Sequence, residues 1–195
     1  MKATDDATPT PQMPDSRRRL FEARDLALGG LMGALALVLP IAFHAVPNAG
    51  PAFLPMYYPI MALALLASWE VAVIVAVLVP VLSSLLTGMP PPPMAVLMIG
   101  ELAAMAVVAS LLRPRLGLWP AAVLGLLAAR VAGVLLVVSL IPLIGEGRTA
   151  IAYATTAFVV GLPGTVVLLT VVPAAVYAIE RSFMLGPRSS GRPMR

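Results

Sequence analysis

Long uninterrupted apolar runs constrain this chain more than any other feature of its sequence. From residue 26 to residue 179 they follow one another with only short connectors between them. Each run is about 17 to 30 residues long, and about 20 apolar residues in a helix span the hydrocarbon core of a bilayer. We therefore predict an all-α integral membrane protein whose surroundings are the lipid bilayer.

Six transmembrane helices are predicted from the lengths of these runs. The second and third are separated only by the sequence SWE, which requires a tight antiparallel hairpin. The sixth contains Gly161, Pro163 and Gly164, where we expect a kink. The predicted spans cover residues 26–45, 53–69, 71–87, 94–112, 118–144 and 150–179.

Polar tails flank the predicted membrane domain of residues 26–181. Residues 1–25 are rich in Pro, Thr and Asp and predict a disordered N-terminal tail, while residues 182–195 form a basic C-terminal tail. A cleaved signal peptide is the rival interpretation of the N-terminal region. The run 26–45 disfavours it, because the apolar core of a signal peptide has only ~7–15 residues.

The basic residues predict the orientation, since short cytoplasmic segments accumulate Lys and Arg. With the N-terminus inside, every Lys and Arg falls on the cytoplasmic side except Arg130, within a span, and Arg148, outside. We therefore expect a multi-pass protein of the cell membrane with both termini in the cytoplasm. Residues 48–59 would then lie on the external face.

Composition argues against several other classes of protein. Only 11% of residues are charged, against roughly 25% in soluble domains. The net charge of +4 comes from tails and helix ends, so we expect no nucleic-acid partner. With no cysteine and His44 as the single histidine, we expect no metal site. No nucleophile or nucleotide-binding motif is present, so we expect neither an enzyme nor a cofactor.

Glu101 and Arg130 are the two ionisable residues within the predicted spans. Because a buried charge is costly in a membrane, such residues mark a functional site or an ion pair. Glu101 lies in the outer half of its span, and the long Arg130 side chain could reach toward it. Two interpretations stay open: a charge pair that locks two helices together, or a site for a polar solute entering from outside.

Small residues recur four positions apart on the first predicted helix. Gly29 with Gly33, and Gly30 with Ala34, each share a helix face. Such spacing predicts the close approach of another helix. That helix would belong either to this chain or to another membrane subunit.

The segment NAGPAFLPMYYP, residues 48–59, joins the first two predicted helices. Its prolines favour an ordered segment, and its aromatic side chains could cover a solute pocket, with His44 and Asn48 adding polar contacts. The alternative is a plain connector whose tyrosines lie at the membrane interface.

Four motifs follow one another along the chain: GPAFLPMYYP, SWE, VPVLSSLLTGMPP and IGELAAMAVVASLL. In this order they resemble the substrate-binding S component of energy-coupling factor (ECF) transporters, over about residues 26–181. Many such proteins have a histidine after FLPM, where this chain has Tyr57.

The resemblance implies a six-helix protein that captures a vitamin-like small molecule. It would work with an ECF transmembrane coupling subunit and two ATPase subunits, which would carry out the ATP chemistry. A stand-alone transporter or channel, and a membrane enzyme, are the alternative functions. The resemblance makes docking candidates of Gly29, Gly30, Gly33 and Ala34, and solute-binding candidates of His44, Asn48, Phe53, Tyr57, Tyr58, Glu101 and Arg130.

Overall fold

A computed structural model of the chain describes residues 23–44, 52–144, 153 and 155–184. Within these ranges every regular element is helical, which confirms the predicted all-α class for this part of the chain. A short π-helical segment, Thr156–Val160, precedes the last α-helix. The α-helices, numbered in chain order, are α1 (Ala23–His44), α2 (Tyr57–Leu66), α3 (Trp69–Thr87), α4 (Pro92–Leu116), α5 (Leu118–Ile144) and α6 (Leu162–Met184).

Five of these helices are long and apolar enough to cross a bilayer, as expected for a multi-pass membrane protein. The exception is α2, which has ten residues and is therefore about 15 Å long, half the thickness of the hydrocarbon core. Leu54, just before α2, has a φ of 53°, a left-handed conformation that interrupts a helix. The described residues thus confirm five candidate spans rather than six.

Helices α1 and α3 run parallel, side by side. Gly29 packs against Val71 and, one turn later, Gly33 packs against Val75. At the start of both helices, the backbone N–H of Ser68 donates a hydrogen bond of 2.9 Å to Asp25 Oδ2. Because α1 and α3 are parallel, the chain returns from one end of the bundle to the other between them. Helix α2 is the described helical part of this return.

The short helix α2 lies in the centre of the bundle and contacts each of the other five helices. Ile60, Met61, Leu63 and Leu65 on α2 are at most 1% exposed. The outer helices instead carry exposed apolar side chains, such as Leu85 at 77%, which suits contact with lipid. The core is therefore built around a helix that is screened from the bilayer.

Helices α4 and α5 form a tightly packed antiparallel hairpin. Gly117 joins them with a φ of 85°, which favours glycine. A Cβ atom at Gly125 would lie 2.8 Å from the Cβ atom of Ala109, so the two helices approach closely there. Further along the same seam, Gly133 on α5 faces Glu101 on α4.

The two ends of the bundle differ in charge. We call one end the basic end, because four of the five described Lys and Arg residues lie there; they are Arg24, Arg113, Arg115 and Arg181. An ion pair between Arg113 and Glu180 joins α4 to α6 at this end. The fifth residue, Arg130, is buried within the bundle.

The sixth predicted span is divided into two helical pieces. The π-helical segment ends at Val160, Gly161 follows it, and α6 begins at Leu162 with Pro163 as its second residue. Proline is well tolerated in the first turn of a helix because its missing N–H is not needed there. The residues where a kink was predicted, Gly161, Pro163 and Gly164, lie at this junction. Most of both predicted tails, and part of residues 150–155, fall outside the described residues.

Candidate functional site

Three residues from three helices meet inside the bundle: Tyr57 at the start of α2, Glu101 on α4 and Arg130 on α5. We call them the buried cluster. The Tyr57 hydroxyl donates a hydrogen bond to Glu101 Oε2. Arg130 Nη1 lies 3.7 Å from the same Oε2 atom, and both charged side chains are 5% exposed. Glu101 and Arg130 therefore form a buried ion pair, which the sequence left open.

The Arg130 guanidinium contacts both Glu101 and Tyr57, but one of its nitrogen atoms has no hydrogen-bond partner among the described residues. Its central carbon lies 5.5 Å from the centroid of the Tyr57 ring, within the range of a cation–π contact. Its Nη2 atom is buried and has no hydrogen-bond partner in the described structure. An unpaired buried donor costs roughly 1–3 kcal/mol, more when it is charged. Arg130 therefore offers an unused hydrogen-bonding group inside the bundle.

Gly133 makes room for the buried cluster. It lies three residues after Arg130 and therefore on the same side of α5. A Cβ atom at position 133 would overlap both Glu101 Oε1 and the Tyr153 hydroxyl oxygen. The absence of a side chain at Gly133 therefore lets both the Glu101 carboxylate and the Tyr153 hydroxyl lie against α5 at this position.

The segment before α2 is tied to both neighbouring helices. The Phe53 ring packs against Phe43 of α1 with centroids 5.7 Å apart. The Tyr58 hydroxyl donates a hydrogen bond of 3.2 Å to the carbonyl oxygen of Gly164 at the start of α6. A Cβ atom at Gly164 would lie only 2.5 Å from the Ala52 carbonyl oxygen. Residues 52–58 are thus packed between α1 and α6. Tyr57, within this segment, belongs to the buried cluster.

The predicted solute-binding residues fall into two groups in the structure. Tyr57, Glu101 and Arg130 come together in the buried cluster, whereas Phe53 and Tyr58 contact α1 and α6 at the end of the bundle opposite the basic end. His44 is the last residue of α1; its side chain lies outside the described residues, as does Asn48.

The predicted docking residues also separate into two pairs. Gly29 and Gly33 face α3 and serve packing within this chain. A Cβ atom at Gly30 would meet nothing within 4 Å, and Ala34 is exposed as well. Of the four predicted docking residues, only Gly30 and Ala34 are therefore exposed on the surface of α1.

The buried cluster combines hydrogen-bond donors with hydrogen-bond acceptors. A carboxylate accepts hydrogen bonds, a guanidinium donates them, and a tyrosine hydroxyl can do both. Among the described residues, no three His, Cys, Asp or Glu side chains are grouped so that they could hold a metal ion. The cluster thus brings a carboxylate, a guanidinium and a phenol hydroxyl into contact inside the bundle.

Comparisons of the chain with protein-family models, with curated proteins and with solved structures gave no match. What the protein does has to follow from its own residues and their geometry.

Three features of the site were not predicted from the sequence: Gly133, Tyr153 and the hydrogen bond between Tyr57 and Glu101. A signal for Gly133 was present, because Gly125, Ala129 and Gly133 recur at intervals of four along α5. Such spacing predicts close helix packing, and Arg130 lies on this same stretch. No local signal distinguishes Tyr153, since its position beside Gly133 depends on how the chain returns after α5.

Proposed function

We propose that this chain is the substrate-binding S component of an ECF-type transporter. It would capture a vitamin or related micronutrient outside the cell, and partner subunits would drive uptake with ATP. The observation that carries the proposal is the buried cluster of Tyr57, Glu101 and Arg130, where Arg130 Nη2 has no described partner. A pair that served only to lock helices together would gain more from full hydrogen bonding.

The distribution of charge supports an orientation in which the basic end is cytoplasmic. Both termini would then lie in the cytoplasm, and the protein would cross the cell membrane six times. Helix α2 and the segment before it would form the second crossing. Tyr57 would then lie in the outer half of the bundle, and residues 52–56 would lie between the cluster and the external medium.

The exposed small-residue pair on α1 supports docking to a membrane subunit. Gly30 and Ala34 lie one turn apart on the surface of α1 and leave space for the backbone of a partner helix. Gly29 and Gly33 are occupied by α3. The partner surface we propose is therefore narrower than the full set of four residues, and it centres on Gly30 and Ala34.

Solute binding is tested first on the full chain purified in mild detergent. Mass spectrometry of the denatured sample should release a small molecule, and a panel of vitamins should contain at least one tight binder in the absence of ATP. If the sample releases no solute and no vitamin binds, the proposal is wrong.

Partner docking is tested by co-purification with an ECF coupling subunit and its two ATPases. Replacing Gly30 with leucine should abolish co-purification while leaving solute binding unchanged. Val38→Ala, which changes an exposed α1 side chain two turns from Gly30, is the control and should change neither. Uptake into proteoliposomes by the chain alone would instead favour a stand-alone transporter.

A further inference from the structure

We propose that the bound solute is uncharged and that an acceptor atom of it takes a hydrogen bond from Nη2 of Arg130. This inference rests on the proposed function, because it concerns the solute of the same site. It specifies the chemical class of that solute: a small neutral molecule with a carbonyl oxygen, hydroxyl oxygen or ring nitrogen at one edge.

The first step is the balance of charge inside the bundle. Three charged residues are buried among those described: Asp25, Glu101 and Arg130. Asp25 lies at the basic end, where it is bonded to Ser68. Around the buried cluster, the negative charge of Glu101 is therefore already matched by the positive charge of Arg130.

A charged solute would disturb this balance. A carboxylate or an ammonium group bound at the cluster would leave one net charge in the interior, without a counter-ion among the described residues. The cost of an unpaired charge at membrane depth is several kcal/mol. A neutral solute avoids this cost, because it adds no charge to the interior.

The second step is the donor that remains free. Arginine has five N–H donors and no acceptor. Nη1 faces Glu101 Oε2 at 3.7 Å, whereas Nη2 is buried without a described partner. A neutral acceptor atom would remove the cost of the unpaired donor, and hydrogen bonds to a charged donor are stronger than those between neutral groups.

The third step is the direction of approach. The Tyr57 ring lies against the Arg130 guanidinium, and the Tyr57 hydroxyl is bonded to the same carboxylate oxygen that faces Nη1. The contacts with Tyr57 and Glu101 thus fix the position of the guanidinium. The solute has to reach Nη2 from a side that these two residues leave free, along the direction of its N–H bonds.

The test combines the identity of the solute with a substitution that keeps the charge. The probe is the solute released from the purified full-length wild-type chain itself, identified by mass spectrometry. We expect a molecule that is uncharged at pH 7 and has a hydrogen-bond acceptor. Arg130→Lys retains a cation opposite Glu101 but has no second nitrogen, so affinity for this solute should fall about tenfold to a hundredfold.

Loss of binding has to be distinguished from loss of folding. Arg130→Lys should elute as a single species, with a thermal unfolding midpoint close to that of the solute-free wild type. Should it fail to fold, the double variant Glu101→Gln, Arg130→Gln removes both charges together and leaves none unpaired. That double variant should fold and should also lose solute binding.

The outcomes distinguish this inference from the proposed function. Release of an anionic or cationic solute, or wild-type affinity in folded Arg130→Lys, overturns the inference and leaves solute capture intact. Wild-type affinity in the double variant overturns it equally. If no solute is released and no vitamin binds, both proposals are wrong.

Discussion

Asp25, in the first turn of α1, accepts a hydrogen bond of 2.9 Å from the backbone N–H of Ser68, the residue that precedes α3. The Asp25 side chain on α1 thus accepts a hydrogen bond from the N-terminal end of α3. Asp25 is 7% exposed, so water does not replace this contact easily. Two parallel helices are joined at their first turns by one side chain.

Asp25→Ala should therefore destabilise the protein. The Ser68 N–H would lose its partner in a buried position, and the start of α3 would lose a nearby negative charge, for a total of about 1–2 kcal/mol. Thermal unfolding in detergent, followed by circular dichroism, measures the loss. Asp25→Asn keeps an acceptor oxygen and should retain most of the stability; equal losses in both variants would contradict a hydrogen-bonding role.

Tyr57→Phe should weaken the buried cluster without emptying the core. The ring remains, but Glu101 Oε2 loses the hydroxyl donor, which costs about 1–3 kcal/mol for a buried acceptor. The matched control is Tyr177→Phe, because Tyr177 on α6 is 56% exposed and should tolerate the change. Unfolding midpoints of the two variants give the comparison, and equal midpoints would show that the hydroxyl contributes nothing.

Gly133→Ala should disrupt the packing of α4 against α5. The added methyl group would overlap the Glu101 carboxylate and the Tyr153 hydroxyl, and overpacking of this kind costs about 1–3 kcal/mol. Gly30→Ala is the control, since nothing lies within 4 Å of its Cβ position. It should be neutral or slightly stabilising, because alanine has the higher helix propensity. A Gly133→Ala protein as stable as Gly30→Ala would contradict the described contact.

Gly164→Ala should displace residues 52 and 53 from α6. Its Cβ atom would lie 2.5 Å from the Ala52 carbonyl oxygen and 2.7 Å from backbone atoms of Phe53, and backbone atoms cannot rotate away as side chains do. Since the chain has no cysteine, Ala52→Cys provides a single labelling site. We expect the labelling rate with a polar maleimide to rise severalfold in the Gly164→Ala background.

The control for this labelling experiment is Thr87→Cys. Thr87 lies at the end of α3 and is exposed, so its labelling rate should be the same in the wild-type and Gly164→Ala backgrounds. A change in labelling rate at both positions would indicate general loosening of the bundle. An unchanged rate at position 52 would contradict the packing of residues 52–58 between α1 and α6.

The long helices could be predicted from the sequence because their ends carry strong local signals. The predicted span 118–144 matches α5 in full, and Gly117 before it takes a conformation that favours glycine. The span predicted over 53–69 became the ten-residue helix α2 instead. An apolar run does not reveal whether lipid or protein surrounds it. The left-handed conformation at Leu54 could not be predicted either, because no glycine stands at that position.

Of the candidate site, the charged residues were the part that could be predicted from the sequence. Glu101 and Arg130 attract attention because few ionisable residues lie inside a membrane domain. Their pairing with Tyr57 depends on the depth of α2 in the bundle, which hydropathy does not give. Likewise, the four small residues on α1 look equivalent in sequence, and only the position of α3 separates Gly29 and Gly33 from Gly30 and Ala34.

The enclosure of α2 has a consequence for how the protein is made. A ten-residue apolar helix is too short to be held in a bilayer as an independent span. Its surroundings in the structure include α6, which is synthesised after the other described helices. We therefore expect that α2 is incompletely packed in nascent chains that end before residue 162, and that it is accessible there to the insertion machinery or to proteases. The environment of α2 would be complete only when α6 has packed against it.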